Sequence, residues 1–222
     1  GDFQTVRRLI GAGELGDVWR FESRYERWRP DPKPEAWREG SDPADAGGLL
    51  ADLGSHLIDQ AVVLFGPPVS VYAELGRRRA GAGVDDDTFV ALEHRGGETS
   101  HLWASSVASR PGPRFRVLGS TAGYVVWGMD PQERALRAGQ SPGHAGWGES
   151  PAGRWGTLGV GDADVAPVPT ETGNYGRFYE GVVASMRQGR PPPVAPGDAL
   201  VTLEVIDAAR RSAARGRPVP VP

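Results

Sequence analysis

Residues 47–66 read GGLLADLGSHLIDQAVVLFG. Leu50, Leu53, Leu57, Ala61 and Leu64 recur at the three-and-four spacing of one buried helical face. Gly66, followed by Pro67 and Pro68, supplies the stop. Into this apolar pattern are set Asp52, His56 and Asp59, four and then three residues apart, which places them on one side of a helix. A carboxylate one turn before an imidazole can fix the tautomer of the ring and raise its basicity, and an imidazole titrates near neutral pH. Most such helical pairs are solvated or structural, and spacing alone leaves both readings open.

Composition narrows the options. The chain has 222 residues, enough for one large domain over residues 1–222, with two small domains as the alternative. A net charge of -3 with interspersed signs, and no basic stripe with interleaved aromatics, argues against nucleic acid as a partner. No apolar run is long enough to span a bilayer and no signal peptide opens the chain, so a membrane is not expected as a partner. The absence of cysteine removes thiolate nucleophiles, disulfides and Cys-ligated metals, and fits a reducing, cytoplasmic setting. Lys33 is the only lysine, and it sits in Asp-Pro-Lys-Pro, a poor place for a buried catalytic amine. Gly1 leads straight into a helical pattern without a preceding Met, so the chain is expected either to carry a foreign Gly1 or to be a fragment of a longer one.

Outward from residues 47–66, the N-terminal side begins with a helix whose apolar side is Phe3, Val6, Leu9 and Ile10, with Asp2 as its expected cap. The next residues, GAGELG at 11–16, match G-x-G-x-x-G. A dinucleotide fingerprint, however, needs a strand before the glycines and a helix after them. Here a helix precedes, and the residues after Gly16 alternate like a strand, with Trp19, Phe21, Ser23 and Tyr25 on one face. The glycines are therefore expected to form a turn, with no cofactor-binding role. Residues 27–46 form a long polar connection in which Trp28, Arg29, Trp37 and Arg38 could anchor a loop over a site or simply pack at the surface.

On the C-terminal side the pattern predicts strands at 69–75, 88–94, 100–108, 114–118 and 124–127, joined by Gly-, Pro- or Asp-rich turns. Consecutive short strands with tight connections imply a largely antiparallel sheet. Several carry small or apolar residues on both faces, as in a sheet covered by helices on one side and a partner subunit on the other. Residues 129–169 are Gly/Pro-rich with little periodicity and are expected to be extended loop. Helices are predicted at 174–188, with a wide apolar face from Tyr175 to Met186, and at 198–215. A last short strand is expected to begin at Val219.

Other chemistries find little support. His56, His94, His101 and His144 show no paired ligand spacing, so no metal is expected. His94 and His101 are expected to form a surface hairpin pair. Gly54-Ser55-His56 lies inside a helix and is no nucleophile elbow. Asp85, Asp86 and Asp87 read as a solvated turn, one of which could reach a sugar hydroxyl.

The stretch GGLLADLGSHLIDQAVVLFGPPVSVYAEL, residues 47–75, resembles the signature of the C-terminal domain of the Gfo/Idh/MocA (glucose–fructose oxidoreductase / inositol dehydrogenase) family. Asp2–Val6 with Leu15-Gly16, Glu22–Arg24 through Arg29-Pro30, Trp37-Arg38, Asp130–Glu133 and Gly173–Tyr175 with Tyr179 are similar to its bacterial NADP-dependent scyllo-inositol dehydrogenase-like branch. The resemblance implies an α+β fold, with an open, mixed and predominantly antiparallel sheet, helices on one face and subunit contacts on the other. Such a fold is like the C-terminal domain of glyceraldehyde-3-phosphate dehydrogenase.

The family's active site combines a Rossmann-domain lysine with an Asp-x-x-x-His pair, matched here by Asp52 and His56 as catalytic residues. Arg29, Trp37, Arg38, Asp59 and Tyr175 are the accompanying substrate-binding candidates. The implied reaction moves a hydride between a sugar or polyol carbon and NADP or NAD. This chain has no Rossmann half, so it is expected to bind no NADP(H) and to be inactive alone, supplying half a site and a homo-oligomer surface. The alternative is a non-enzymatic carbohydrate-binding or scaffold protein.

Overall fold

The computed structural model describes residues 1–33, 35–42 and 46–222; within the long connection, residues 34 and 43–45 lie outside the described residues. Its organising element is one mixed sheet of nine strands: β1 (Val18–Glu26), β2 (Pro68–Gly76), β3 (Asp87–His94), β4 (Thr99–Ser105), β5 (Phe115–Gly119), β6 (Gly123–Val126), β7 (Gly156–Val160), β8 (Asp164–Val168) and β9 (Val219–Pro220). Their order is β8-β7-β6-β5-β1-β4-β3-β2-β9. Neighbours are antiparallel except β1 and β4, which run parallel with Phe21 opposite Ser100 and Tyr25 opposite Ala104. Because β1 enters between β4 and β5, the long connection after it must return to the sheet through a helix, which is where residues 47–66 lie.

The core lies on one face. Val6 and Leu9 of α1 (Asp2–Gly11), Leu57, Ile58 and Ala61 of α2 (Ser55–Phe65), and Val205 and Ala209 of α5 (Pro196–Arg215) cover Phe21, Val90, Leu102 and Val117 of the sheet. Strand alternation has the period of two: Val90 and Leu92 face the helices while Phe89 and Glu93 do not. On the opposite face an aromatic row crosses the strands, Tyr72–Phe89 at 6.5 Å and Phe89–Trp103 at 5.1 Å between ring centroids, with the Arg24 guanidinium 3.9 Å from Trp103. Trp19 and Trp127, each 59% exposed, flank it. No helix among the described residues is long and apolar enough to cross a membrane.

Several expectations change. Residues 129–169 are not an extended loop: they hold α3 (Pro131–Arg137), β7 and β8, which add two strands at the sheet's edge. β4 stops at Ser105, short of 108, since the chain beyond pairs only through a Trp28–Val107 bridge. Asp2 does not cap α1: Gly1 holds that position, and Asp2 is a buried first-turn residue. The His94/His101 pair does not form. His94 is buried on the helix side, its Nδ1 2.9 Å from the Gly66 carbonyl and its Nε2 2.8 Å from Ser100 Oγ, while His101 lies on the open face between Phe89 and Trp103. As expected, residues 11–16 form a helix end and turn into β1. This is the reverse of the strand–glycine–helix order that seats a pyrophosphate, so the chain's residues do not fit a dinucleotide there.

Candidate functional site

The helix of residues 47–66 has a composite start. Leu50–Gly54 form a π-helical turn, which passes into α2 at Ser55. Such insertions recur at functional sites because the wider turn re-aims the side chains it carries, and here it carries Asp52. Asp85 holds the turn from outside: its Oδ2 accepts the Leu50 N–H at 2.7 Å, and its carbonyl accepts that of Leu49 at 2.9 Å. Gly48, at φ +98°, leaves room for this carboxylate, which any Cβ would displace.

The acidic run is therefore not a solvated turn. Asp86 is fully buried and accepts N–H bonds from Arg78 and Arg79 at 2.7 and 3.0 Å and the Arg79 Nε at 3.0 Å. These bonds hold its carboxyl below the usual range, against the effect of its burial. Asp87 pairs with Arg78 at 3.3 Å. Arg79 also grips Glu39 with both terminal nitrogens, at 2.9 and 2.8 Å. In this way the long connection, through the short turn Trp37–Glu39, is fastened beside Asp52.

Asp52 lies 3.5 Å from Arg38 Nη1 and has one buried carboxylate oxygen, Oδ2, without a hydrogen-bond partner among the described residues. Arg27 has a buried Nε in the same condition. Both residues line one crevice of about 20 Å³ with Arg38, Arg79, Asp85 and Ser106. Burial and the nearby Arg29 push the Arg27 guanidinium down from its usual value, with Arg38 and Arg79 adding to this, while Asp52 pulls it back. The crevice thus sets a donor without a hydrogen bond, Arg27 Nε, and an acceptor held only by the 3.5 Å ion pair with Arg38, Asp52 Oδ2, beside a space fit for a single water-sized hydroxyl.

His56 is exposed on α2, one turn on from Asp52. The Tyr25 ring meets it edge-on at 6.4 Å. Behind Tyr25 lies Arg114, 6% exposed, its guanidinium 4.2 Å from the Tyr25 ring and 4.1 Å from Phe115. It donates to Ser23 Oγ at 2.6 Å, the Arg24 carbonyl at 3.2 Å and Gln60 Oε1 at 3.4 Å, all uncharged acceptors. Burial lowers its pKa, opposed by Tyr25 and by Asp2. This buried cation ties β1 and the chain before β5 to α2, fixing the strand–helix distance beneath His56.

The other candidates take different places. Asp59 is exposed one turn beyond His56; partial burial raises its pKa, the His56 charge lowers it and Asp198 raises it. Tyr175 precedes α4 (Gly176–Gln188), its N–H bonded at 2.9 Å to Oε1 of the buried Gln132. Its pKa is raised by burial, and Asp130 and Tyr25 add to this. Arg38 reaches Asp52 and has its guanidinium 5.5 Å from the exposed Trp37 ring. Arg29 is exposed and contributes its charge at Arg27 rather than a contact with Asp52. Sequence reasoning missed Tyr25, Arg27, Gln60, Arg114 and Gln132 as parts of the site, and took Asp85 for part of a solvated turn, one member of which could reach a sugar hydroxyl. Tyr25 and Arg27 lie within segments whose pattern stands out; Arg114 gives no local signal, and Gln132 lies in the resemblance stretch Asp130–Glu133 without being singled out. Among the described residues no cluster of three or more His, Asp or Glu is placed to hold a metal ion.

Comparison with known proteins agrees with this architecture. The family described as "Oxidoreductase family, C-terminal alpha/beta domain" matches residues 7–221. The chain is 33% identical over 221 residues to scyllo-inositol 2-dehydrogenase (NADP(+)) IolW of Bacillus subtilis, covering 98% of itself and 61% of that protein. It is 33% identical to the Escherichia coli oxidoreductase YdgJ, covering 96% of itself and 60% of the relative. The solved structure of the Bacillus subtilis oxidoreductase yvaA superposes with a TM-score of 0.90 at 31% identity, over 100% of this chain and 62% of that one. The chain spans about six tenths of the length of each of these relatives. Sequence and structure together place this chain in the Gfo/Idh/MocA oxidoreductase family, as its C-terminal α/β domain.

Proposed function

We propose that this chain is the substrate-side domain of a two-domain NAD(P)-dependent oxidoreductase that acts on a hydroxyl of a sugar or polyol of the inositol type. The observation that carries this reading is the crevice at the π-helical turn, where buried Asp52 Oδ2, 3.5 Å from Arg38 Nη1 but without a hydrogen bond, and buried Arg27 Nε, also without one, adjoin room for one hydroxyl. A buried acceptor without a donor costs about 1–3 kcal/mol; a substrate hydroxyl that donates to Asp52 and accepts from Arg27 removes that cost. The crevice is too small for a whole polyol, so the rest of the molecule lies outward, along α2 toward His56, Asp59 and Tyr175. There His56 takes the proton of the reacting hydroxyl on oxidation and returns it on reduction. Arg38 and Trp37 border the outer side.

Nicotinamide supplies the hydride chemistry in this reading, and its seat belongs to a domain other than the one described. NADP is the preferred cofactor, by analogy with the Bacillus subtilis dehydrogenase. The aromatic row on the open sheet face, flanked by Trp19 and Trp127, is the surface for a second copy of the chain. The reading is tested by assaying the whole protein on polyols with NADP. Asp52→Asn keeps the shape but weakens the charged acceptor, and kcat/KM falls roughly 10- to 100-fold, as expected for a hydrogen bond to a charged group. Unchanged kcat/KM in Asp52→Asn rejects the assignment.

A further inference from the structure

His56 stands on α2 without the kind of support that Asp52 receives. Among the described residues no hydrogen bond or ion pair reaches its ring, and its one ring–ring contact is with Tyr25, at 6.4 Å between centroids and 65° between planes. An exposed side chain that nothing holds exchanges rotamers within nanoseconds. An acid–base group works only when it is kept within a fraction of an ångström of the proton it moves. Tyr25 is therefore placed to limit where the imidazole points.

Tyr25 is itself clamped. The Arg114 guanidinium lies 4.2 Å from its ring and 4.1 Å from that of Phe115, within cation–π reach of both. Its Nη1 donates to Ser23 Oγ at 2.6 Å and to the Arg24 carbonyl at 3.2 Å, both in β1 beside Tyr25. Its Nη2 donates to Gln60 Oε1 at 3.4 Å, and Ser23 Oγ donates to the same oxygen at 3.0 Å. Gln60 lies one turn beyond His56, on the same side of α2. One guanidinium thus grips the strand that carries Tyr25 and the helix that carries His56. A buried cation whose acceptors are all uncharged is a costly way to fill space, and an apolar side chain of similar volume would pack there at lower cost. What arginine adds is its planar fork of donors and its affinity for a ring face.

We propose that Tyr25, clamped by Arg114, aims the His56 imidazole at the reacting hydroxyl, both acting as positioning residues. This rests on the proposed function, in which His56 moves the proton, and adds to it the pair that holds the base in line. Neither residue lines the crevice of Asp52 and Arg27, so the pair acts on the chemical step and not on the anchored hydroxyl. The end of β1 then serves the site twice: Arg27 anchors one hydroxyl, and Tyr25, two residues before it, steadies the base for another.

The test is steady-state kinetics of the whole protein on scyllo-inositol and myo-inositol with NADP. Tyr25→Leu lowers kcat roughly 10- to 100-fold and leaves KM within about twofold, the pattern of a misaimed base beside an intact binding site. Tyr25→Phe, which restores the ring, recovers most of that loss. The discriminating readout is the double variant: adding Tyr25→Leu to His56→Ala lowers kcat by no more than about twofold further, because the ring acts only through the imidazole. A merely structural Tyr25 lowers kcat equally in both backgrounds, and that additivity overturns the proposal. So does an unchanged kcat in Tyr25→Leu, a loss carried by KM, or a loss in Tyr25→Phe as large as that in Tyr25→Leu. If Tyr25→Leu does not fold, Arg114→Met, which keeps the length of the side chain without its fork, carries the same cycle against His56→Ala. A large loss in His56→Ala beside full kcat in Tyr25→Leu overturns this inference alone. Undiminished kcat in His56→Ala, or no turnover of either inositol by the unaltered protein, overturns the proposed function and this inference with it.

Discussion

Two helices of this chain bear on the same site and are held in opposite ways. α2 is tied at every point: Asp85 bonds the turn that leads into it, Arg79 and Glu39 fasten the connection beside it, Arg114 reaches Gln60 in its middle, and His94 takes the carbonyl of Gly66 at its end. α4 has only the Gln132 bond to Tyr175 at its head and turns its apolar side outward. The difference teaches where precision is built in. A general base needs to be placed to within a fraction of an ångström, and the polar ties on α2 provide that within this chain. Among the described residues no comparable set of polar ties fixes α4.

The comparison is broken most sharply at Arg79. Its guanidinium is 5% exposed and is the side-chain cation paired with the fully buried Asp86. Arg79→Ala leaves that carboxylate without its partner and costs about 3–5 kcal/mol, measured as a lower urea midpoint. A loss under about 1 kcal/mol would mean that the ties are incidental.

A smaller effect is expected at the other end of α2. Burial pushes the His94 imidazole below its usual value, with the Gly66 carbonyl and Glu98 opposing. The unfolded chain therefore takes up the proton first as the pH falls through about 6.5. The stability that neutral His94 contributes is complete above that pH and is lost as the pH falls toward the lower folded value, by at most about 1.4 kcal/mol per pH unit. His94→Asn keeps a donor for Gly66 and removes the titration, so stability curves of the two proteins should converge below about pH 6.5. Curves that stay parallel from about one unit above that pH to about one unit below it contradict the assignment. The smallest effect sharpens the contrast: Met186→Ser on α4 changes the stability of the 222-residue chain by less than about 0.5 kcal/mol, because nothing among its described residues covers it.

How much of this is readable in the sequence depends on where the information lies. Residues 55–65 are legible because their apolar spacing has the helical period, and β2, β3 and β6 because they alternate between clear turns. β7 and β8 are not, since Gly156, Gly159 and Pro167 disguise short strands that only the pairing of β7 with β6 and with β8 reveals. The π-helical turn at Leu50–Gly54 is invisible too, because it depends on Asp85, 35 residues away, rather than on local propensity. Asp52 and His56 stand out by spacing and by resemblance. Arg114 does not: it acts through Ser23 and Gln60, 91 and 54 residues away, and through the rings of Tyr25 and Phe115. Reach of this kind leaves no periodic trace.

The central claim is that His56 moves the proton of the substrate hydroxyl, and the most direct measurement is the turnover number of His56→Ala in the whole protein with saturating polyol and NADP. The predicted result is a loss of roughly 10²- to 10⁴-fold in kcat, the range for removing a positioned acid–base group, with thermal stability unchanged because His56 is exposed. Turnover within a factor of about two of the unaltered protein, well inside the ordinary scatter of surface substitutions, would contradict it.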